Sequence, residues 1–245
     1  MSKTLGFIGS GNVGGILARL AVAAGLDVVL SNSRGPESLA DLGPRARAAT
    51  PAEAAEAGDL VVVSIPLSAY EKIPAQPLAG KIVIDTLNYY PERDGRIAEL
   101  DANELTSSEL VQRHLADSRV VKAANNIVSS QLFSLARPSG APDHSAMPIA
   151  GDDAAAKAEV VELLDLLGYD AVDIGTLADS WRSEPGTPVY CKPYFGEVPK
   201  DVSLDKTMEW IFQAPGVPTP ADRVRELTAT VVRPAGGSFS IADWR

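Results

Sequence analysis

The sequence predicts an α/β fold: a mostly parallel, doubly wound sheet with helices on both faces, followed by a small helical and irregular extension. Short runs rich in Val and Ile recur through about residue 175, and segments with helix start and stop signals lie between them. A glycine-rich turn joins the first run to the first of these segments. Such alternation is typical of βαβ units, whose strands pair in parallel. With 245 residues, 45% of them hydrophobic and 22% charged, the chain can bury such a core.

The individual elements follow from short apolar runs and from local helix signals. Thr50 with Glu53, and Thr106 with Glu109, form capping boxes that mark helix starts. A third helix is predicted over residues 154–167, ending at Gly168. The predicted strands are residues 5–8, 28–30, 60–65, 82–84, 120–121, 147–150 and 171–174.

A glycine-rich turn follows the first predicted strand. Gly9-Ser10-Gly11-Asn12-Val13-Gly14 has the spacing G-x-G-x-x-G and stands where a strand ends and a helix begins. In dinucleotide sites the first glycine makes the turn, the second admits the pyrophosphate, and the third lets helix and strand pack closely. The free N–H groups of the helix start then face the pyrophosphate. The context predicts a Rossmann-type dinucleotide site, with a purely structural turn as the alternative.

The second predicted strand ends on Asn32, Ser33 and Arg34, where an NAD site carries an acid for the ribose hydroxyl. Asp27 stands too early, at the start of that strand. A 2′-phosphate can accept a charge-assisted hydrogen bond from the arginine and further bonds from Asn32 and Ser33. We therefore predict that the cofactor is NADP(H). The alternative is a solvated loop with a surface arginine.

Loops after the later strands are expected to complete the site, because ligands of such folds bind at the carboxyl ends of the strands. The loop after the run at 60–65 places Ser64, Ile65 and Pro66 beside the nicotinamide half of the cofactor. Lys122, with Asn125 or Asn126, is a candidate for orienting a substrate or a cofactor amide. A solvated cation at a strand end is an equally weighted alternative for Lys122.

Other residue types argue against further chemistries. His114 and His144 have no partner spacing for a metal site or a catalytic triad, so we expect both to be structural and no metal to be bound. Cys191 is the one cysteine and is interpreted as packing, which fits a reducing cytoplasm. The formal net charge of -10 argues against a nucleic-acid surface. No apolar run approaches the roughly 18 residues of a membrane span.

Composition changes after Gly175, where Pro and Gly recur. We divide the chain into a nucleotide-binding domain over residues 1–175 and a smaller region over 176–245. Two helices are predicted in that region, over 204–213 and over 220–232, the second capped by Thr219. Its aromatic residues suit a homodimer interface or a cover over the site, with packing on the chain's own sheet as the alternative. These residues are Trp181, Tyr190, Tyr194, Phe195, Trp210 and Phe212.

Six stretches taken together resemble one known family. They are "TLGFIGSGNVGG", "VVLSNSRGP", "DLVVVSIPLSAY", "VIDTLNYYPERDG", "VVKAANNI" and "IAGDDAAAK". They look like the NADPH-dependent F420 reductases, that is, the coenzyme F420-dependent NADP oxidoreductases, and the resemblance runs from about residue 4 to residue 190. The same core is similar to the oxidoreductase domain of membrane-anchored metalloreductases.

The resemblance implies hydride transfer between NADP(H) and a deazaflavin, in a cytoplasmic homodimer. Carried onto this chain, it places the pyrophosphate on residues 9–13 and the 2′-phosphate on Ser33 and Arg34. It places the nicotinamide on Ile65, Pro66 and Leu67.

The same loops offer surface for a planar ring system, such as coenzyme F420 or a flavin. The apolar and aromatic residues concerned are Ile65, Pro66, Leu67, Leu87, Tyr89 and Tyr90. No general acid is evident among them, which favours a deazaflavin over a carbonyl substrate, because a forming alkoxide needs a proton. Two alternatives stay open. One is an NADPH-dependent carbonyl or imine reductase in which Lys122 polarises the substrate, and the other is a protein that senses NADP(H) without turnover.

Overall fold

The computed structural model describes residues 3–39, 43–199 and 203–244, and it confirms the predicted fold class. Eight strands form one sheet in the order β3-β2-β1-β4-β5-β6-β7-β8. Within these residues each neighbouring pair is parallel except β6 with β7, which is antiparallel. The strands are β1 (Thr4–Ile8), β2 (Asp27–Ser31), β3 (Ala46–Ala49), β4 (Leu60–Val63), β5 (Ile82–Asp85), β6 (Arg119–Lys122), β7 (Ala146–Gly151) and β8 (Asp170–Asp173).

Helices cover both faces of the sheet, and short 3₁₀ turns lie over Pro36–Ser38, Leu67–Lys72, Leu177–Ser183 and Ile241–Trp244. The helices are α1 (Asn12–Ala23), α2 (Pro51–Ala57), α3 (Ala75–Leu78), α4 (Pro91–Asp94), α5 (Ala98–Asp101), α6 (Ser107–His114), α7 (Ser129–Ser134), α8 (Ala154–Leu166), α9 (Lys192–Phe195), α10 (Leu204–Gln213) and α11 (Ala221–Ala229). In the described part of the chain, every helix is too short or too polar to cross a membrane.

The local helix signals are confirmed. The side chains of Thr50 and Thr106 each accept the backbone N–H three residues on, and the glutamate at that position bonds back to the threonine N–H. Gly168, just after α8, has a φ of 95°, the left-handed conformation that favours glycine after a helix. These signals act within four residues of the chain, which is why the sequence alone shows them.

Apart from shifts of one residue at other strand ends, the structure differs from the sequence prediction at β3, β4 and α11. Strand β3 was missed because its sequence, ARAA, has no β-branched residue and lies at the sheet edge. Strand β4 ends at Val63, which leaves Ser64 and Ile65 in the following loop. Helix α11 begins at Ala221 without a side-chain cap and ends at Ala229. The predicted cap at Thr219 is wrong, because its hydroxyl donates to the carbonyl of Pro193 at 3.1 Å instead.

Successive residues of the central strands face opposite layers of the core, as the pleat requires. In β4, Leu60 and Val62 join an apolar cluster with residues of α1 and α8. Val61 and Val63 join a second cluster with residues of α2, α3 and α6. The sheet is thus buried on both sides, which explains why its strands are continuous apolar runs.

The extension has an apolar cluster of its own, distinct from the two layers of the sheet. The residues buried together there are Tyr190, Phe195, Ile211 and Trp244. Tyr90, from residues 1–175, which we call the body, packs against them. The division of the chain near residue 176 stays a prediction.

Gly6 shows how tightly α2 lies against the sheet. A Cβ at Gly6 would overlap the backbone carbonyl oxygen of Ala54 in α2. Because backbone cannot yield as a side chain does, we expect Gly6→Ala to lower the free energy of unfolding by about 1–3 kcal/mol in urea titrations. Gly15→Ala is the matched control, since a Cβ there meets its nearest atom at 3.5 Å and alanine favours helix. Equal stability of the two variants would contradict this packing.

Candidate dinucleotide and acceptor site

The three motif glycines of the loop after β1 are needed for different physical reasons. Gly9 has a φ of 108°, and a Cβ there would overlap the carbonyl oxygen of Ser64. A Cβ at Gly14 would overlap the carbonyl oxygen of Gly9, so α1 could not approach the loop. A Cβ at Gly11 would meet nothing within 4 Å. Two glycines therefore serve the fold, and the third leaves open space at the amino end of α1.

Two cavities open beside this loop and share Gly11, Asn12 and Ser129 in their walls. The first, which we call the Arg34 cavity, has a volume of about 540 Å³ and lies between α1 and the loop after β2. The second, the Tyr90 cavity, has a volume of about 340 Å³ and is lined by the loops after β4, β5 and β6 and by α10. The amino end of α1 stands between the two.

In the loop after β2, one of the three predicted phosphate residues lines the Arg34 cavity. The side chain of Arg34 reaches its wall, whereas Ser33 is exposed outside it. The Asn32 Oδ1 accepts the N–H of Arg34 at 2.9 Å, and its Nδ2 donates to the Oγ of Ser38 at 2.9 Å. Asn32 therefore shapes the turn that presents Arg34.

The loop after β4 contributes Ser64, Ile65 and Pro66 to the Tyr90 cavity. Leu67 lies outside that cavity, because it is fully buried in the core layer with α2, α3 and α6. Tyr89 also points away, since its hydroxyl donates to Asp101 at 2.9 Å.

Lys122 does not face either cavity. Its ammonium is fully buried and donates to the Oδ2 of Asp85 at 3.4 Å, to the Oγ of Ser107 at 3.0 Å and to the carbonyl of Leu87. Lys122 is therefore neither a residue that contacts a substrate nor a solvated cation, which were the two alternatives from the sequence. The reason is the register of the sheet, which sets Asp85 at the end of β5 directly beside Lys122 at the end of β6.

The same ion pair fixes the loop after β5. Asp85 accepts the N–H of Leu87 at 2.8 Å on one oxygen and the hydroxyl of Ser108 at 2.7 Å on the other. The Thr86 hydroxyl donates to the carbonyl of Val63 at 3.0 Å, which ties this loop to the end of β4. The loop is thereby held from three neighbouring elements.

Asn125 does line the Tyr90 cavity. Its Nδ2 donates to the Oδ1 of Asn88 at 3.0 Å and to the carbonyl of Ser183 at 2.8 Å. The Asn88 Nδ2 donates in return to the backbone carbonyl of Asn125 at 2.8 Å. Asn126 lies outside the cavity, buried, with its Nδ2 donating to the carbonyl of Val189 and the hydroxyl of Tyr194. The Oδ1 of Asn125 also accepts the hydroxyl of Ser183 at 3.2 Å, so the one asparagine that lines the cavity is held by bonds within the chain.

Two tyrosine hydroxyls in the wall of the Tyr90 cavity escaped the sequence interpretation. The hydroxyls of Tyr90 and Tyr190 hydrogen bond to each other, and both residues line the cavity. Burial raises the pKa of Tyr90 to about 12, and it raises the pKa of Tyr190 well above its ordinary value. Both groups therefore keep their protons at neutral pH. Because 100 residues separate them, no sequence pattern signals the pair.

The extension supplies the rest of the wall of the Tyr90 cavity, through α10 and Trp244. The rings of Trp244 and Tyr190 are stacked, with centroids 6.0 Å apart and 23° between their planes. Cys191 also lines the cavity, and burial raises the pKa of its thiol, so the thiol stays protonated. Of the six aromatic residues singled out in the extension, Tyr190 and Phe212 line this cavity.

Both histidines are held by hydrogen bonds in the structure. The Nε2 of His114 bonds with the carbonyl of Ile73 at 2.9 Å. His144 bonds with Asp170 at 3.0 Å through Nδ1 and with the carbonyl of Arg137 at 3.2 Å through Nε2. His144, Asp165 and Asp170 offer ligand atoms within 4.8 Å of one another. The existing partners of His144 account for its position.

The sheet order, the glycine-rich loop and the adjoining cavities define a dinucleotide-binding protein of the Rossmann type. Residues 4–89 match the family described as NADP oxidoreductase, coenzyme F420-dependent. The chain is 29% identical to the metalloreductase STEAP3 of Rattus norvegicus over 183 residues, which are 74% of this chain and 35% of that protein. The chain thus spans about a third of the length of that relative.

Two crystal structures share both fold and sequence with the chain. A protein of Arthrobacter sp. FB24, provisionally named as an F420-dependent NADP reductase, is 28% identical with a TM-score of 0.61, over 74% of this chain and 87% of that one. The hypothetical protein SMa0349 of Sinorhizobium meliloti is 27% identical with a TM-score of 0.68, over 78% and 94%. The resemblance drawn from the sequence is confirmed, and NADP-dependent oxidoreductase is the class that these similarities support.

The buried ion pair leads to a direct test of Lys122. Lys122→Met leaves the carboxylate of Asp85 buried and uncompensated, so we expect a loss of about 3–5 kcal/mol in the free energy of unfolding. Lys3→Met is the control, because Lys3 pairs at 3.2 Å with Glu159 where both side chains are about half exposed, and such pairs contribute about 1 kcal/mol or less. If Lys122→Met unfolds like the wild type but loses turnover, the predicted structural role is wrong and Lys122 is catalytic.

Proposed function

We propose that the protein transfers a hydride between NADP(H) and a planar deazaflavin or flavin acceptor, with coenzyme F420 favoured. The observation that carries the proposal is the meeting of two different cavities at the amino end of α1. One presents an arginine suited to a phosphate, and the other has an apolar and aromatic wall suited to stacked rings.

The cofactor would extend across the glycine-rich loop. Gly11 leaves room for the pyrophosphate, and the first N–H groups of α1 face it. Arg34 would meet the 2′-phosphate, in the turn held by Asn32. Ser64, Ile65 and Pro66 would lie beside the nicotinamide, in the second cavity.

The acceptor would occupy the rest of the Tyr90 cavity. Ile127, Met208, Ile211 and Trp244 supply apolar surface there, and the Oδ1 of Asn125 would offer its remaining acceptor site. NADP(H) supplies the hydride when it is bound. The chain's own part is to hold the two rings together and to exclude water, for which the wall from the extension is suited.

A second candidate is the reduction of a small carbonyl or imine. The hydroxyl pair of Tyr90 and Tyr190 favours it, because such a substrate needs a proton as the hydride arrives. Lys122 cannot polarise that substrate from its buried position. In this second candidate, the hydroxyl of Tyr90 would donate the proton.

A homodimer and a cytoplasmic location belong to the proposal through the family resemblance. The aromatic residues that first suggested an interface are largely used within the chain: Tyr194 and Phe195 are fully or almost fully buried. Phe212 remains half exposed.

A third candidate function is the sensing of NADP(H) without turnover. A measurement of turnover distinguishes it from the two enzyme functions.

The acceptor is tested by NADPH oxidation with F420, FMN and a carbonyl and imine panel under one set of conditions. We expect loss of the deazaflavin absorbance with F420. Trp244→Ala should lower turnover of F420 more than that of a small acceptor, because a large ring system would contact more of the apolar wall to which Trp244 belongs. Reduction of a carbonyl or imine but not of F420 would replace the favoured acceptor with the second candidate. If NADPH binds but no acceptor is reduced, the protein would instead be a sensor of NADP(H) without turnover.

The cofactor assignment is tested with Arg34→Ala. A charge-assisted hydrogen bond contributes about 1.5–3 kcal/mol, so the affinity for NADPH should fall roughly ten- to a hundredfold. The affinity for NADH should hardly change, since NADH lacks the phosphate. Dissociation constants for both cofactors can be measured by titration calorimetry. Equal losses would contradict a 2′-phosphate site at Arg34.

A further inference from the structure

A second arginine, which the sequence interpretation did not consider, lines the Arg34 cavity. Arg19 lies in α1 and is exposed, and its side chain contributes to the same wall as Arg34. No aspartate or glutamate lines this cavity among the described residues. Within the described part of the chain, neither guanidinium makes a hydrogen bond or an ion pair. The cavity is therefore cationic in a protein whose formal net charge is -10.

The helix places Arg19 there by its periodicity. Asn12, Gly15, Ile16 and Arg19 stand at positions i, i+3, i+4 and i+7, which share one face of an α-helix. All four line the Arg34 cavity. One stripe of α1 therefore forms one wall, from the glycine-rich loop to Arg19. The loop after β2 supplies Arg34, Ser38 and Leu39 to the same cavity.

Two like charges that share one cavity favour an anion carrying more than one charge. A phosphate monoester carries about -1.5 to -2 at neutral pH, so a single guanidinium neutralises only part of it. Guanidinium groups bind phosphate through paired N–H donors, which makes two of them complementary to its three free oxygens. The pyrophosphate is assigned to the amino end of α1 in the proposed function. Asn12 at that end lies seven residues before Arg19, a distance of about 10 Å along the helix. Arg19 therefore stands apart from the pyrophosphate.

We propose that Arg19 is the second cation of the 2′-phosphate site and that Arg19 and Arg34 together set the preference for NADP(H) over NAD(H). The inference rests on the proposed function for the identity of the cofactor. The inference adds Arg19 as a residue that determines cofactor specificity, and it gives the phosphate site two positive charges. It also assigns Asn32 to the turn rather than to the phosphate.

The test compares dissociation constants of NADPH and NADH for five proteins: the wild type, Arg19→Ala, Arg34→Ala, the double variant and Arg45→Ala. Arg45 is the matched control, because it is exposed and pairs with Asp27 at 3.2 Å. We expect Arg19→Ala to weaken NADPH about tenfold or more and to leave NADH within about twofold. The double variant should bind the two cofactors almost equally. Arg45→Ala should match the wild type.

A pair of fragments separates the 2′-phosphate from the pyrophosphate without any turnover. Binding of 2′,5′-ADP should weaken in Arg19→Ala, whereas binding of 5′-AMP, which lacks the 2′-phosphate, should stay unchanged. Equal losses of NADPH and NADH would overturn the inference, because they would assign Arg19 to a group that both cofactors share. Unchanged NADPH binding would make Arg19 a surface arginine and would leave the proposed function standing. A wild type with no preference for NADPH would remove both the inference and the cofactor assignment. Matching thermal unfolding of all five proteins establishes that the variants are folded.

Discussion

The buried ion pair of Asp85 and Lys122 is the interaction on which the site depends. Parallel strands bring their carboxyl ends to one edge, and the register of β5 and β6 sets these two residues side by side. An isolated buried charge is very costly, so each partner is stable there only with the other. Lys122 finds three oxygen acceptors, on Asp85, Leu87 and Ser107, and Asp85 in turn accepts from Leu87 and Ser108 as well as from Lys122. Such a fully satisfied network is rigid, because any displacement exposes a charge to apolar surroundings.

That rigidity passes directly to the walls of the Tyr90 cavity. The residues after Asp85 cannot move without breaking bonds to the ion pair, so Asn88 has a fixed position from which it holds Asn125. Tyr90 follows two residues later, where Arg93 lies over its ring at 4.7 Å. The groups that would orient an acceptor are therefore placed by a charge pair that does not touch it. The proposed hydride transfer would require such positioning by buried neighbours, since the two rings would have to meet without solvent between them.

How far the sequence predicts this structure depends on the range of each interaction. Capping boxes, the glycine-rich loop and Arg34 act through neighbours in the chain, and all are visible in the sequence. The Asp85–Lys122 pair spans 37 residues, yet a signal existed, because an acid and a base directly follow two consecutive predicted strands. Arg19 could also have been found from the helical spacing that starts at Asn12. The pairing of Tyr90 with Tyr190 has no such signal, because it depends on how the extension docks. Strand β3 was missed because its pairing with β2, rather than its own residues, makes it a strand.

The extension docks on the part of the chain that directly continues the loop after β5. Gly236 and Gly237 lie so close to the body that a Cβ would overlap the Leu100 carbonyl at the first and the ring of Pro91 at the second. Arg233 secures this approach by donating to the carbonyls of Asn103 at 2.9 Å and Leu105 at 2.6 Å. All four of these body residues lie in the segment that begins at Pro91, just beyond Tyr90. The chain then continues to Phe239, whose ring meets that of Tyr190 at 5.5 Å, and to Trp244 in the cavity wall. The shape of the Tyr90 cavity, and with it the size of the proposed acceptor, is thus set jointly by the loop after β5 and by the segment that docks on its continuation.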